Sequence, residues 1–350
     1  MADFGGWEMP IEYPAGDGGG VIAEHSAVRE RIGLFDVSHL GKARVRGVGA
    51  TAFVNSCITN DLSRIGDGQA QYTMLCDDAS GGVIDDLIVY RISDDELFLV
   101  PNAANTAEVV ARLKANVPQG VEVVDEHEKF AVFALQGPLT FELLKSIGIE
   151  IDLNYMSFTR AEIADREVIL CRTGYTGEQG VEIIPRWHDA LVVWKTLVSE
   201  VEKCGGRISG LGARDTLRTE MCYPLHGHEL SLTISPLEAG ATWAVGWKKE
   251  SFWGSRVLRA QKESGNHRRL IAFTMRDRGI PRAEMKVVDV NGAEIGVVTS
   301  GTFSPTLKNG IGLALVSKSI SVGEEICIDI RGKMCSAEIK PAPLVPSHVR

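Results

Sequence analysis

Tyr72-Thr73-Met74-Leu75-Cys76, Asp77-Asp78-Ala79-Ser80-Gly81-Gly82 and Val83-Ile84-Asp85-Asp86-Leu87-Ile88-Val89-Tyr90-Arg91-Ile92 follow one another without a break. Two apolar, β-branched runs joined by a segment of turn-forming residues predict two strands and a connecting turn. Glu96 to Val100 extends the pattern to a third strand. Asn105 to Val117 then reads as a helix whose apolar stripe is Val109, Val110 and Leu113. A second strand-and-helix run follows. Phe130 to Leu135, Glu167 to Arg172 and Val181 to Ile184 read as strands. Leu139 to Ile147 and His188 to Lys203 read as helices, the latter with the stripe Leu191, Trp194, Leu197, Val198 and Val201. Two such runs in succession predict two α+β units.

Toward the N-terminus, glycines concentrate at Gly5, Gly6, Gly16 and Gly18 to Gly20. Ile22 to Ile32 reads as a helix ending at Gly33, and Val48 to Ile58 as another short one. Near residue 266 the chain changes character. Ile271–Met275, Lys286–Val290, Glu294–Thr299, Ile311–Val316, Ile326–Arg331 and Ser336–Lys340 are all strand-like. Asn291-Gly292 is the dipeptide of a two-residue hairpin, and Gly332-Lys333 reads as another turn. Short strands with tight turns predict a small antiparallel barrel or sandwich.

Composition narrows the function. The chain has 350 residues, 44% apolar and 24% charged, which is ordinary globular composition. A formal charge of −9 argues against general nucleic-acid binding. No run approaches the ~18 apolar residues of a membrane helix. Met1 to Trp7 has neither a basic nor an apolar region, so no secretory signal is expected. The seven cysteines include no C-x-x-C pair, which fits reduced, mostly buried thiols and a cytoplasmic setting. His226 and His228 would share one face of a strand, but no third ligand accompanies them, so no metal is expected.

The sharpest local pattern is Arg172-Thr173-Gly174-Tyr175-Thr176-Gly177-Glu178-Gln179-Gly180-Val181-Glu182-Ile183. Its glycines allow a close-approach loop between two strands, and no helix N-terminus follows to cradle a phosphate. Glu182 stands between Val181 and Ile183, so it faces opposite to both. There it either meets solvent or accepts paired hydrogen bonds from an amino-heterocycle. Arg214 and Arg218 lie four apart at a helix start and share a face. They either fork onto a carboxylate ligand or pair with Asp215 and Glu220. Trp243, Trp247 and Trp253 would pack in a core or stack on a flat ligand. Asn105 and Glu108 fit an N-cap and its N3 partner.

Several segments in order carry a resemblance: Asp3-Phe4-Gly5-Gly6-Trp7-Glu8-Met9-Pro10, Phe35-Asp36-Val37-Ser38-His39, Gly82-Val83-Ile84-Asp85-Asp86-Leu87, Asn102-Ala103, Gln136-Gly137-Pro138, Arg172 to Glu178, Gly212 to Arg218 and Thr299-Ser300-Gly301. Together they resemble the T-protein family of the glycine cleavage system, the aminomethyltransferases, over almost the whole chain. The resemblance implies an α+β fold: a three-domain ring of two mixed α/β, ferredoxin-like domains plus a small C-terminal antiparallel β-barrel. The boundaries would be a folate-binding core over 1–265, intertwined from roughly 45–125 and from 126–265 with 1–44, and a barrel over 266–350.

It also implies tetrahydrofolate as substrate, no metal, and the lipoylated H-protein as partner, with no nucleic acid and no membrane. By motif position Glu182 would bind the amino end of the pterin with Tyr175 beside it. Arg214 would position folate, Trp243 would form an aromatic wall and Arg269 would approach the glutamate tail. Tyr72 and Asn102 would line the channel. The family commonly places an Asp seven residues after the Asn of its Asn-Ala motif, and here Val109 stands there. Glu108, Asp85 or Asp86 would then take the acid–base role, with Glu108 and Asp86 leading, or positioning alone would drive the reaction. A helical stretch normally precedes Phe4-Gly5-Gly6-Trp7, so the start inside this motif is consistent with a missing leader. The family often ends in a Tyr-containing tail, whereas this chain ends Pro346-Ser347-His348-Val349-Arg350. Two other functions compete: a folate-binding accessory of iron–sulfur assembly, and a folate-dependent demethylase. The former carries Cys where Gly174 stands.

Overall fold

The computed structural model describes residues 1–14, 19–317 and 320–350, so Gly16 and Gly18 of the glycine-rich stretch lie outside the described residues. The chain divides into two compact units. The first comprises Met1–Leu75, Asp85–Arg214 and His348–Arg350, the second Cys76–Ile84 and Asp215–Ser347.

The first unit holds the two-stranded sheet Ala2–Phe4 with Trp7–Met9 and two larger sheets. In the five-stranded sheet the order is Gln69–Cys76, Val83–Ser93, Glu96–Val100, Ala43–Arg46 and Glu122–Asp125. Cys76, Val83 and Ile84, at the turn ends of its first two strands, are counted with the second unit. The six-stranded sheet runs Phe158–Ile163, Arg166–Cys171, Gly180–Pro185, Phe133–Gln136, Gly33–Asp36 and Arg207–Ile208. The helices Thr140–Ser146 and Ala190–Lys203 pack on it, burying Leu143, Leu144, Val193, Leu197 and Val201 against Leu170, Val181 and Ile183. Burying one such aliphatic side chain contributes about 1.5–3 kcal/mol.

Several sequence expectations change here. Leu191 is 62% exposed, because in the helix Ala190–Lys203 it stands two residues, about 200° of rotation, before Val193 of the buried stripe Val193, Leu197 and Val201. The N-terminal helix spans Val21–Glu30, and Gly33 opens a strand instead of capping that helix. A Cβ at Gly33 would lie 2.3 Å from the Val28 side chain, so glycine is there for close packing. Gly33–Asp36, Ala43–Arg46, Glu122–Asp125, Phe158–Ile163 and Arg207–Ile208 are strands that local periodicity does not reveal. They are short, and most find their partners far along the chain: Gly33 opposite Gln136, Ala43 opposite Leu99.

The glycine hairpin is stitched by Gln136, which is fully buried. Its Nε2 donates to the carbonyls of Thr173 (3.1 Å) and Val181 (3.2 Å), and its Oε1 accepts from the Thr176 hydroxyl (2.9 Å). A Cβ at Gly180 would fall 2.6 Å from the Leu135 carbonyl oxygen. Gly180→Ala must therefore shift backbone, at a cost of ~1–3 kcal/mol for overpacking. We expect a melting temperature lower by several degrees in calorimetry; an unchanged value would contradict this packing.

The second unit carries a closed barrel of Arg269–Met275, Asn309–Val316, Glu294–Ser304, Lys286–Val288, Glu325–Ile330 and Lys333–Lys340. Its core includes Ile271, Phe273, Val287, Val298, Ala314, Ile326, Ile328 and Ile339. The two-residue hairpin expected at Asn291-Gly292 is instead a longer loop. Asp289 Oδ1 accepts from the backbone N–H of Asn291 (2.9 Å) and Ala293 (3.0 Å), and this Asx arrangement ends the strand at Val288. The tight turn is Arg331-Gly332, both at positive φ, between the paired Ile330 and Lys333. Among the described residues no helix is long and apolar enough to cross a membrane.

Candidate active site

The strand Val83–Ser93 carries two consecutive carboxylates near its start, on opposite faces by the pleat. Asp85 is fully buried and Asp86 is half-buried. The Tyr72 hydroxyl, from the neighbouring strand, donates to Asp86 Oδ2 at 3.0 Å. Asn102, just past the strand Glu96–Val100, donates its Nδ2 to Asp86 Oδ1 at 2.8 Å, to the Asp86 carbonyl at 2.9 Å and to Asp85 Oδ1 at 2.9 Å. Burial, and then the Asp86 charge, push the Tyr72 hydroxyl well above its usual pKa, so it stays a donor. Burial and the same charge raise Asp85.

The Asn105–Glu108 capping pair does not form. Asn105 closes a 3-10 turn at Ala103–Asn105 and its Nδ2 donates to Asp85 Oδ1 at 2.7 Å. Its amide serves a buried carboxylate, a stronger claim than a solvated helix end. Glu108 is on the outer face of Thr106–Asn116, 56% exposed and paired with Arg112 Nε at 2.5 Å. Val109 is fully buried on the helix's inner stripe. The helical rotation of about 100° per residue separates the two. Thus Asp86, Tyr72 and Asn102 come together, and Glu108 does not join them.

The glycine hairpin supplies a second cluster. Tyr175 lies beneath the Arg214 guanidinium, with Cζ 4.6 Å from the ring centroid. Tyr175 is also near enough to Tyr72 to bear on its ionisation. Glu182 is half-buried, and its Oε2 accepts from the Thr173 hydroxyl at 2.5 Å and the Tyr90 hydroxyl at 3.4 Å. Glu182 therefore does not simply face solvent. Arg218 is the buried member of the arginine pair and is held by Asp215 (2.6 Å), Glu229 (2.9 Å) and the Ser300 hydroxyl (2.8 Å). These partners hold it within the fold, and Glu220 accepts from the Ser304 and Thr306 hydroxyls.

Trp243 and Arg269 belong to the second unit, where both are exposed. Trp247 carries Lys262 Nζ 4.1 Å from its ring centroid. His226 and His228 are not strand neighbours on one face; their rings bond the carbonyls of Val83 (3.1 Å) and Thr299 (2.8 Å). None of the seven cysteines is in a disulfide.

Sequence reading assigned no role to His39 or Lys42, although the Phe35–His39 segment was conspicuous. His39 is buried with its ring edge-on to Phe4 at 5.4 Å. Burial first, and then Arg214, Lys42 and His127, press its pKa down to about 3. Lys42 is buried too, donates to the Ser38 carbonyl at 2.8 Å, and is lowered by burial to about 8. A charged residue within the small, apolar run Leu40-Gly41-Lys42-Ala43 was the available signal.

A model of the GCVT N-terminal domain matches residues 1–249, and a model of the glycine cleavage T-protein C-terminal barrel domain matches residues 268–346. The chain therefore belongs to the glycine cleavage T-protein family. Its fold is similar to the glycine cleavage system aminomethyltransferase T of Bartonella henselae, at a TM-score of 0.91 and 29% identity over 99% of this chain and 94% of that one. It is 57% identical to the aminomethyltransferase of Parafrankia sp. (strain EAN1pec) over 100% of this chain and 94% of the relative. The corresponding Frankia alni protein is 54% identical over 100% and 95%. The chain is an aminomethyltransferase, an enzyme of the glycine cleavage system, and these matches lend nothing to the iron–sulfur accessory or demethylase alternatives.

Proposed function

We propose that the chain transfers the one-carbon unit of aminomethyl-dihydrolipoyl H-protein to tetrahydrofolate. The products are ammonia, 5,10-methylenetetrahydrofolate and the dihydrolipoyl H-protein. What supports this reading best is the Asp86 carboxylate, held by Asn102 and by Tyr72, which in turn lies near Tyr175 of the Tyr175–Arg214 stack. Asp86 acts as the acid–base group that takes the proton a folate amine loses on accepting carbon. Asn102 and Tyr72 hold its carboxylate in place. Glu182, on the same hairpin as Tyr175, accepts from the amino end of the pterin, while Tyr175 and Arg214 present a flat, cationic surface to it. Trp243 as an aromatic wall and Arg269 at the glutamate tail are proposed on the family resemblance alone.

The test is to incubate the protein with tetrahydrofolate and aminomethyl-loaded lipoyl H-protein. Ammonia and methylenetetrahydrofolate should appear in equal amounts. Folate binding without either product would overturn transfer in favour of a binding role. A companion result concerns Glu182→Ala. Losing a charged hydrogen-bond partner costs ~1.5–3 kcal/mol, so tetrahydrofolate affinity should fall ~10-fold or more. Calorimetry showing unchanged affinity in a folded variant would remove Glu182 from the site.

A further inference from the structure

Asp85 precedes Asp86 on the strand Val83–Ser93 and contacts no solvent. Its carboxylate is nonetheless elaborately held. Oδ2 accepts from the Asn102 backbone N–H at 3.0 Å, and Oδ1 accepts from Asn102 Nδ2 at 2.9 Å and Asn105 Nδ2 at 2.7 Å. Asn102 Nδ2 carries two protons and faces three acceptors: Asp85 Oδ1, the Asp86 carbonyl and Asp86 Oδ1. The two carboxylates therefore compete for one amide. When Asp85 is charged it draws that amide toward itself; when neutral it releases the amide to Asp86.

We propose that Asp85 is a second ionisable member of this site, a positioning residue that acts on Asp86 through the Asn102 amide. This rests on the reading of Asp86 as the acid–base group. Besides burial, neighbouring groups bear on Asp85. Asp86 faces it from its own strand and Tyr72 from the strand Gln69–Cys76, while Asn102 and Asn105, from the segment after Val100, are uncharged. Tyr72 keeps its proton, so the charge Asp85 meets is that of Asp86. Burial and that charge both favour the protonated form, and the asparagine donors oppose them. The outcome is a carboxyl that ionises above the ordinary range and carries its change in charge to Asn102.

The experiment has one arm independent of turnover. Carboxyl-carbon NMR of the folded protein, with Asp85 assigned by its loss in Asp85→Asn, should show Asp85 titrating above pH 6. The Asn102 side-chain amide should move with the same midpoint. In the transfer assay the wild type should show an ionisation in kcat at that midpoint, which Asp85→Asn loses. Asn105→Ala, which removes one donor to the charged form, should move the midpoint to higher pH and keeps the test available if Asp85→Asn does not fold. Titration of Asp85 in the ordinary carboxylate range, an Asn102 amide that does not follow it, or an unmoved midpoint in Asn105→Ala would overturn the proposal. An inactive wild type with the NMR coupling intact would instead count against the transfer reading alone.

Discussion

Asp86→Asn is expected to lower kcat by ~10²-fold or more, with the fold retained. Asparagine keeps the size of the side chain and an oxygen for the Tyr72 hydroxyl, which now donates to Asp86 at 3.0 Å. What it loses is the capacity to take a proton, and so the effect falls on the chemical step rather than on binding. Glu108→Gln is the natural control. Glu108 is 56% exposed and its partner is Arg112 four residues on, an arrangement worth about 0.3–0.5 kcal/mol. Its substitution should leave transfer unchanged. Single-turnover kinetics with loaded H-protein separates the two. Full activity in Asp86→Asn, or a large loss in Glu108→Gln, would refute the assignment.

The second large effect concerns acid stability. His39 is neutral in the folded protein down to about pH 3, because burial and the neighbouring Arg214, Lys42 and His127 exclude a further positive charge. In the unfolded chain it takes a proton near pH 6.5. Between those values the unfolded state binds more protons, so stability falls as the pH drops below about 6.5. Each unit of separation is worth about 1.4 kcal/mol, so by pH 4 the His39 contribution approaches about 3 kcal/mol. Raised carboxyls such as Asp85 and Glu24 work in the opposite sense, binding protons more tightly when folded. The comparison must therefore be a difference: denaturant unfolding of wild type and His39→Phe at pH 7 and pH 4. The variant should lose less stability on acidification by about that amount. Identical pH dependence in the two proteins would contradict it.

Much of this architecture can be read locally. The strand Glu96–Val100 is observed at the bounds its apolar run predicts, and every barrel strand from Ile271 to Lys340 was visible as alternation or a turn signal. Alternation and helical periodicity are properties of neighbouring residues, and a half-buried face enforces them. The ordered motifs carried the family for the same reason, since each is short and contiguous. The strand Gly33–Asp36 left no such trace. It exists because Gly33 opposes Gln136 and Arg207, partners that no window of sequence contains.

The site divides along the same line. Residue type and alternation alone made Glu182 a candidate carboxylate, but only the fold supplied Thr173 and Tyr90 as its donors. Glu108 and Asp86 were equal candidates in sequence, and the rotation of one helix put Glu108 in solvent while strand pairing put Asp86 beside Tyr72. Asn105 read as a helix cap and proved to be a donor to Asp85; His39 and Lys42 read as nothing and proved to be buried bases. The sequence by itself determined the helices and the strands whose periodicity is local, because that signal depends on adjacent side chains; strands such as Gly33–Asp36 waited on partners remote in the chain. The tertiary structure alone decided which titratable groups lose water and which charges they then face, because burial and Coulomb interaction sum over groups that are remote in the chain and close in space.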